Sequence, residues 1–441
     1  MSAKEWIVSG LFAVISIALL VLVKFDFKLT IFILVSVALL VISIIDIKLG
    51  VLLLLIFRSS VDAFMETSIR ISAIDISVSS LFAAYSVIVI AAYLITNKIF
   101  IKNNIALSFY AFIAIGIISS VIPGNYHFGL VYVIKFISIL CIYLIVYYLS
   151  EKIENFDRTV MKGIIASAII PLAVGLYQYI FSSGQITSYY AEAGLNRLKG
   201  TLAHPNVFAF FLVIIIVTVL IYLIRYNKKN LFLYLIVLLS LFELYNTYTR
   251  GAWLGLALIV VSCLVMSKLP LSSKLGYSAL LLLAISPFYQ SIADRFANVL
   301  SSDVEQSSLA VRFTIWKSMG FLFFIKPLLG HGIGSFKELS SNVLNWNIEA
   351  HNDYLKLLLE TGIVGLGSYL VLQFNTLRSI LSNKAGNYLV VFIFVAVFYL
   401  MSLADNIIDM TVCQWYIWAL VALFTANTKG GKGHQEGKKA V

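Results

Sequence analysis

His351, Asn352 and Asp353 stand together in "EAHNDYLKLLLETGIVG", which begins at Glu349, where a polar segment gives way to an apolar run. A neutral imidazole at the boundary of water and lipid can take a proton from a hydroxyl. Asn352 or Asp353 can cap the helix that the apolar run implies. Glu360, about two turns further on, needs a partner or a cavity if that helix enters lipid. Three arginines sit at comparable junctions. Arg197 precedes a turn in "RLKGTLAHPN", where Pro205 disfavours helix at His204 and suits the first position of the next helix. A helix N-terminus beside Arg197, Lys199 and His204 favours an anion. Arg250 lies in "YTRGAW", where Gly251 lets backbone approach a ligand. Arg312 and Trp316 in "RFTIW" share a face if that segment is helical, and an indole can stack on a guanidinium. These residue types offer anion binding and one proton acceptor. Each also has a plainer reading: an ordinary interfacial loop for the Arg197 stretch, a membrane-edge anchor for Arg250, a packed surface residue for Arg312, and a cap or hydrogen-bonded packing residue for His351. The glycines of "GHGIGSF" follow no strand, so they read as tight turns and not as a phosphate loop.

The elements that must position these residues are membrane helices. The chain has 441 residues, 61% hydrophobic and 12% charged, too little polar surface for a soluble protein of this size. Apolar runs long enough to cross about 30 Å of hydrocarbon recur along its length. They lie near 6–23, 29–45, 49–64, 78–96, 105–122, 128–149, 162–181, 207–224, 231–247, 252–267, 275–290, 356–377, 388–405 and 412–426. This predicts an all-α, polytopic integral membrane protein of about 12–14 transmembrane helices. The alternating segments of about 10 residues that mark a membrane β-barrel are absent. The first apolar run, after Lys4, reads as a spanning helix and not as a removable signal. The net charge of +11 is of the kind that orients membrane loops, so no nucleic-acid partner is expected. Cys141, Cys263 and Cys413 fall inside apolar runs without metal-ligand spacing, and read as packing residues. No metal site or cofactor is expected.

Short basic connections, "NKIFIKNN", "RYNKKN" and "SKLPLSSK", and the Gly- and Lys-rich tail from Thr428 mark the cytoplasmic side. The organisation expected is transmembrane helices over 1–181, helices with outward arginine loops over 182–290, a large outward loop over 291–355, C-terminal helices over 356–426 and a cytoplasmic disordered tail over 427–441. So long a loop implies short helices of its own. Val311–Gly330, aromatic with Lys317 and Lys326 able to snorkel, reads as one lying on the membrane and ended by Pro327. Lys135 lies inside a span, and Asp405 and Asp409 flank the outer end of the penultimate one. Most distinctive polar residues crowd the outer side, which argues against a flippase or transporter, whose charges gather near the midplane.

Taken together, "TRGAWL" with Arg250, "RFTIW" with Arg312 and Trp316, "PLLGHGIGSF" and the block from His351 to Gly367 resemble the O-antigen ligase and polymerase superfamily of bacterial membrane glycosyltransferases. "RLKGTLAHPN" extends the likeness to about 170 residues; the first 180 resemble it only in hydropathy. The resemblance implies a GT-C-like fold in the bacterial cytoplasmic membrane with the site facing the periplasm. It implies metal-independent, inverting transfer of a glycan from an undecaprenyl-diphosphate-linked oligosaccharide donor to a hydroxyl of a glycan or lipid-linked sugar acceptor. In that scheme Arg197, Arg250 and Arg312 hold the diphosphate, His351 is the base, and Asn352, Trp316, His204 and Glu360 support them. Repeat-unit polymerase is the reading slightly preferred, because no surface dedicated to lipid A-core stands out; ligase is the alternative.

Overall fold

A computed structural model describes residues 38–39, 41–64, 68–71, 74–121, 126–181, 197–226, 230–285, 308–384 and 387–426. Among the described residues the regular elements are helices apart from one antiparallel hairpin, β1 (Ser68–Ile71) with β2 (Ile74–Ser77), paired from Ser68 opposite Ser77 to Ile71 opposite Ile74. The helices are α1 (Ile47–Val61), α2 (Val78–Thr96), α3 (Asn104–Val121), α4 (Tyr126–Lys152), α5 (Phe156–Ala166), α6 (Ile169–Phe181), α7 (Pro205–Tyr226), α8 (Leu231–Asn246), α9 (Arg250–Met266), α10 (Leu271–Ile285), α11 (Ser308–Gly320), α12 (Leu322–Ile325), α13 (Phe336–Leu344), α14 (Asp353–Asn383), α15 (Tyr388–Met401) and α16 (Thr411–Thr425). Among the described residues five segments are long and apolar enough to cross a membrane: Asn104–Val121, Gly129–Lys152, Phe156–Phe181, Pro205–Tyr226 and Asp353–Asn383. The protein is therefore an all-α polytopic membrane protein. The expected span 6–23 and most of 29–45 lie outside the described residues.

The chain folds into two compact units interleaved in sequence. One comprises Met1–Ala106, Ile134–Thr247 and Thr411–Val441; the other comprises Leu107–Val133 and Tyr248–Met410. In the first, α7 and α16 are apolar on every side and correspondingly buried almost throughout, as a helix without a polar face must be. Two buried polar groups of α16 are paired with distant segments. The Trp415 indole N–H donates to Ser138 Oγ (3.1 Å), and the Tyr416 hydroxyl donates to the Leu55 carbonyl (2.9 Å). The buried Arg58 forms an ion pair with Asp62 (2.7 Å) and lies over the Trp415 ring.

The span expected over 162–181 lies within Phe156–Phe181, but it is interrupted between α5 and α6. Pro171 is the cause: it has no N–H to give the Ser167 carbonyl, and its ring crowds that carbonyl. The freed oxygen accepts the Ser59 hydroxyl instead, at 2.7 Å.

In the second unit, the long α14 is flanked by α15, and the short helices α11, α12 and α13 pack over its first turns. Their common core is Ile315, Met319, Leu322, Phe336, Ala350 and Leu359. The single amphipathic helix expected over Val311–Gly330 is two helices, interrupted at Phe321 and finished before Pro327. Phe313, Phe321, Phe324, Ile325 and Leu328 along it are exposed. The expected span 388–405 stops at Met401; the residues after it build the site.

Candidate functional site in the second unit

The turn from Ser402 to Asp409 is the point on which the candidate residues converge. Asn352 starts α14: its extended backbone turns the chain, and its side-chain oxygen accepts the Leu355 N–H at 3.0 Å, a side-chain N-cap. Asp353, the first helical residue, is fully buried and ties the helix start to the turn. Its N–H donates to the Ser402 carbonyl (2.8 Å), and its Oδ2 accepts the Ile408 N–H (2.9 Å). His351 is held just before this cap with φ 49°, a left-handed conformation that costs a non-glycine residue free energy and persists only where its surroundings enforce it. Its Nδ1 is directed at Asp405 Oδ1, 3.9 Å away. That gap exceeds a hydrogen bond and suits one bridging water or a small closing movement. The His351 side chain keeps 29% of its surface, so the ring remains reachable.

Arg312, on α11, donates from Nη1 to the Ala404 carbonyl at 2.5 Å. The Trp316 indole N–H donates to the Ala350 carbonyl (2.7 Å), beside His351, and its ring meets Phe313 edge-on. Arg312 and Trp316, for which stacking is expected, each donate to a separate backbone carbonyl. Burial pushes the Asp405 carboxyl up, but His351, the Arg312 charge and the Asn406 N–H together outweigh it and hold the group below the usual carboxylate range. Arg250 opens α9, which packs along α15 with Gly255 against Met401. The helix start bearing Arg250 therefore lies near the end of α15 from which the turn departs.

The glycine segment docks backbone to backbone on a break in α14. Gly362 has φ 66° and ψ −169° inside the helix. Here the ladder opens and exchanges partners with the loop. The Leu359 and Glu360 carbonyls accept the N–H groups of His331 (2.9 Å) and Gly332 (2.8 Å). The N–H groups of Ile363 and Val364 donate to Pro327 (2.9 Å) and Leu328 (3.3 Å). Glu360 finds the partner that its position demanded: Oε1 accepts the Phe336 N–H at 3.0 Å and so caps α13, whose own N-cap Ser335 makes no such bond.

Arg197 and His204 belong to the first unit. Arg197 donates from Nε to the Thr247 carbonyl (2.8 Å) and from Nη2 to Asn206 Oδ1 (2.7 Å). His204 Nδ1 accepts the Asn206 N–H (3.0 Å) at the start of α7, which begins at Pro205 as expected.

Sequence reasoning overlooked a charged network beneath His351. Lys356, 2% exposed, reaches Asp409 (2.5 Å), Glu349 (3.3 Å) and the Tyr132 hydroxyl (3.3 Å), and Glu349 also pairs with Lys337 (3.0 Å). Burial raises the Glu349 carboxyl, but Lys356 and Lys337 outweigh it and leave the group below its usual range. A lysine one turn into an apolar helix was the available signal; its partners lie too far away in sequence to be inferred.

Residues 234–370 match a family model described as O-antigen ligase. This stretch carries Arg250, Arg312, Trp316, His351, Asn352 and Glu360. An uncharacterised protein of Haemophilus influenzae is 23% identical over 231 residues, 47% of this chain and 56% of that protein. A provisionally named polysaccharide ligase of Rickettsia felis is 33% identical over 94 residues, 19% of this chain and 23% of the relative. One of the same provisional name from Rickettsia conorii is 29% identical over 131 residues, 27% and 32% of the two chains. The chain thus spans about half or less of the length of the curated relatives it matches. Over the segment 234–370 the chain is thus similar to the O-antigen ligase family.

Proposed function

We propose that this protein is a membrane glycosyltransferase that moves a glycan from an undecaprenyl-diphosphate carrier to an acceptor sugar hydroxyl at the periplasmic face of the cytoplasmic membrane. The observation that carries the proposal is the convergence of His351 and Arg312, both inside the segment that matches the ligase family, on the Ser402–Asp409 turn. In the reaction the acceptor oxygen attacks the anomeric carbon of the donor sugar, and the bond from that carbon to the diphosphate oxygen breaks. His351 takes the hydroxyl proton at Nε2, because Nδ1 is turned to Asp405, whose negative charge steadies the ring once it is protonated. The departing diphosphate is met by guanidinium groups, of which Arg312 and Arg250 belong to this unit. Fixed cations there stabilise charge that develops only as the bond breaks. Opposite-face attack inverts the anomeric centre and requires neither a covalent enzyme intermediate nor a metal ion.

The family description and the names of the Rickettsia proteins support transfer of a finished chain to a separate acceptor such as lipid A-core, at least as well as polymerisation of carrier-linked repeat units. Proteoliposomes supplied with carrier-linked oligosaccharide, with and without lipid A-core, separate the two: a ligase requires the core, a polymerase lengthens the carrier-linked glycan without it. His351→Gln, which keeps hydrogen bonding without a comparable base, is expected to abolish either product. Near-normal product from His351→Gln would refute the base assignment, and relocation of the substrate without chemical conversion would make the protein a flippase.

A further inference from the structure

We propose that Lys356 is a positioning residue: by bridging Glu349 and Asp409 it sets the distance between His351 and Asp405. The inference rests on the proposed role of His351 as a base. Glu349 lies two residues before His351, and Asp409 four residues after Asp405. One ammonium therefore ties the segment carrying the ring to the segment carrying its carboxylate. The same two segments are joined on the other side by the Asp353 N–H to Ser402 carbonyl bond and the Ile408 N–H to Asp353 Oδ2 bond. The His351–Asp405 pair is bracketed by these ties but makes no direct bond of its own, at 3.9 Å. Its separation is thus inherited from the bracket.

Lys356 is an expensive way to hold a helix. Removing an ammonium from water is costly, and buried ion pairs often stabilise no better than apolar packing. The best-attested return on such a cost is a unique geometry. The network is also oriented for it. The Tyr132 ring lies 4.8 Å from Nζ and its hydroxyl is within 3.3 Å, so the ammonium is held from a third direction. Lys337 holds the far oxygen of Glu349 (3.0 Å). Four alternating charges, Lys337, Glu349, Lys356 and Asp409, thus run beneath the site, and Lys356 joins its two halves.

The test uses the full-length protein in nanodiscs, with histidine labelled at Cε1. Five histidines are present, and His351→Gln assigns the signal. Lys356→Met is made alone and with Glu349→Gln and Asp409→Asn, which removes the network without leaving buried carboxylates unpaired; Lys356→Arg is the conservative variant. For the neutral triple variant we expect a folded protein that binds undecaprenyl diphosphate within about 3-fold of wild type, a displaced His351 resonance, and a turnover reduced about 100-fold, the loss that misplacement by about 1 Å can cause. Lys356→Arg is expected to recover part of both the resonance and the turnover. An unmoved His351 resonance in the folded triple variant overturns the proposal whatever the turnover, because that signal reads the ring and not the reaction. A displaced resonance with turnover within 3-fold of wild type overturns it too. Activity in His351→Gln would instead strike at the base assignment, while the resonance of the Lys356 variants still reports the bracket.

Discussion

Replacing Gly362 by Ala tests whether the break in α14 holds the second unit together. At φ 66° and ψ −169° the residue occupies a region that side chains avoid, which costs on the order of 1–3 kcal/mol. A Cβ there would sit 2.2 Å from the Leu328 carbonyl oxygen and 2.6 Å from the Leu329 nitrogen. Both are backbone atoms that cannot swing aside. Relief requires the loop to withdraw, which sacrifices the bonds from Ile363 to Pro327 and from Val364 to Leu328, each worth about 1 kcal/mol net. The expected loss is therefore roughly 3–5 kcal/mol. Gly367 is the internal control. It lies on the same helix, a Cβ there meets nothing within 4 Å, and Gly→Ala in a helix interior is worth up to about 1 kcal/mol in the opposite direction. Unfolding of both variants in the same mild detergent, followed by circular dichroism against denaturant, gives the comparison. If Gly362→Ala comes within about 1 kcal/mol of wild type, the backbone exchange between the glycine loop and α14 does not bear the weight assigned to it.

Arg250→Ala and Arg312→Ala are each expected to lower turnover by about 100-fold, the usual consequence of removing one group that stabilises developing charge; Lys should restore only part, and full recovery would show that a point charge suffices. Asn352→Ala should cost about 1 kcal/mol of stability through loss of the cap while sparing most turnover, and a loss of turnover as large as that of His351→Gln would give Asn352 a chemical role. Asp405 is held below the ordinary carboxylate range in the folded protein, so its contribution is complete above the unfolded value of about 3.9 and fades as pH falls through the lower folded value. Unfolding midpoints between pH 7 and pH 3 should therefore drop less for Asp405→Asn than for wild type; parallel curves would contradict this. Single cysteines replacing the exposed Asn345 and Lys384, in a background without the native three, should respectively react and fail to react with an impermeant thiol reagent on intact cells; the reverse pattern would put His351 on the cytoplasmic side.

Hydropathy along the chain determined the class, because the length of an apolar run needed to cross lipid is a local property. Local chemistry likewise determined the helix starts at Pro205 and Asn352, where the proline ring and the capping side chain act on their immediate neighbours. It also marked Glu360 as needing a partner, since a carboxylate on an apolar helix signals one without naming it. What local pattern could not supply was pairing at a distance. Arg312 meets Ala404, 92 positions away, and Lys356 meets Asp409, 53 away and Tyr132, 224 away. Asp405 and Asp409 read in sequence as charges at the end of a helix; packing of α14 against α15 turns them into partners for His351 and Lys356. The break at Gly362 was invisible for a related reason. A glycine in an apolar helix is compatible with close packing between intact helices, and it becomes a break only because the loop Pro327–Gly332 offers the hydrogen bonds that the helix gives up.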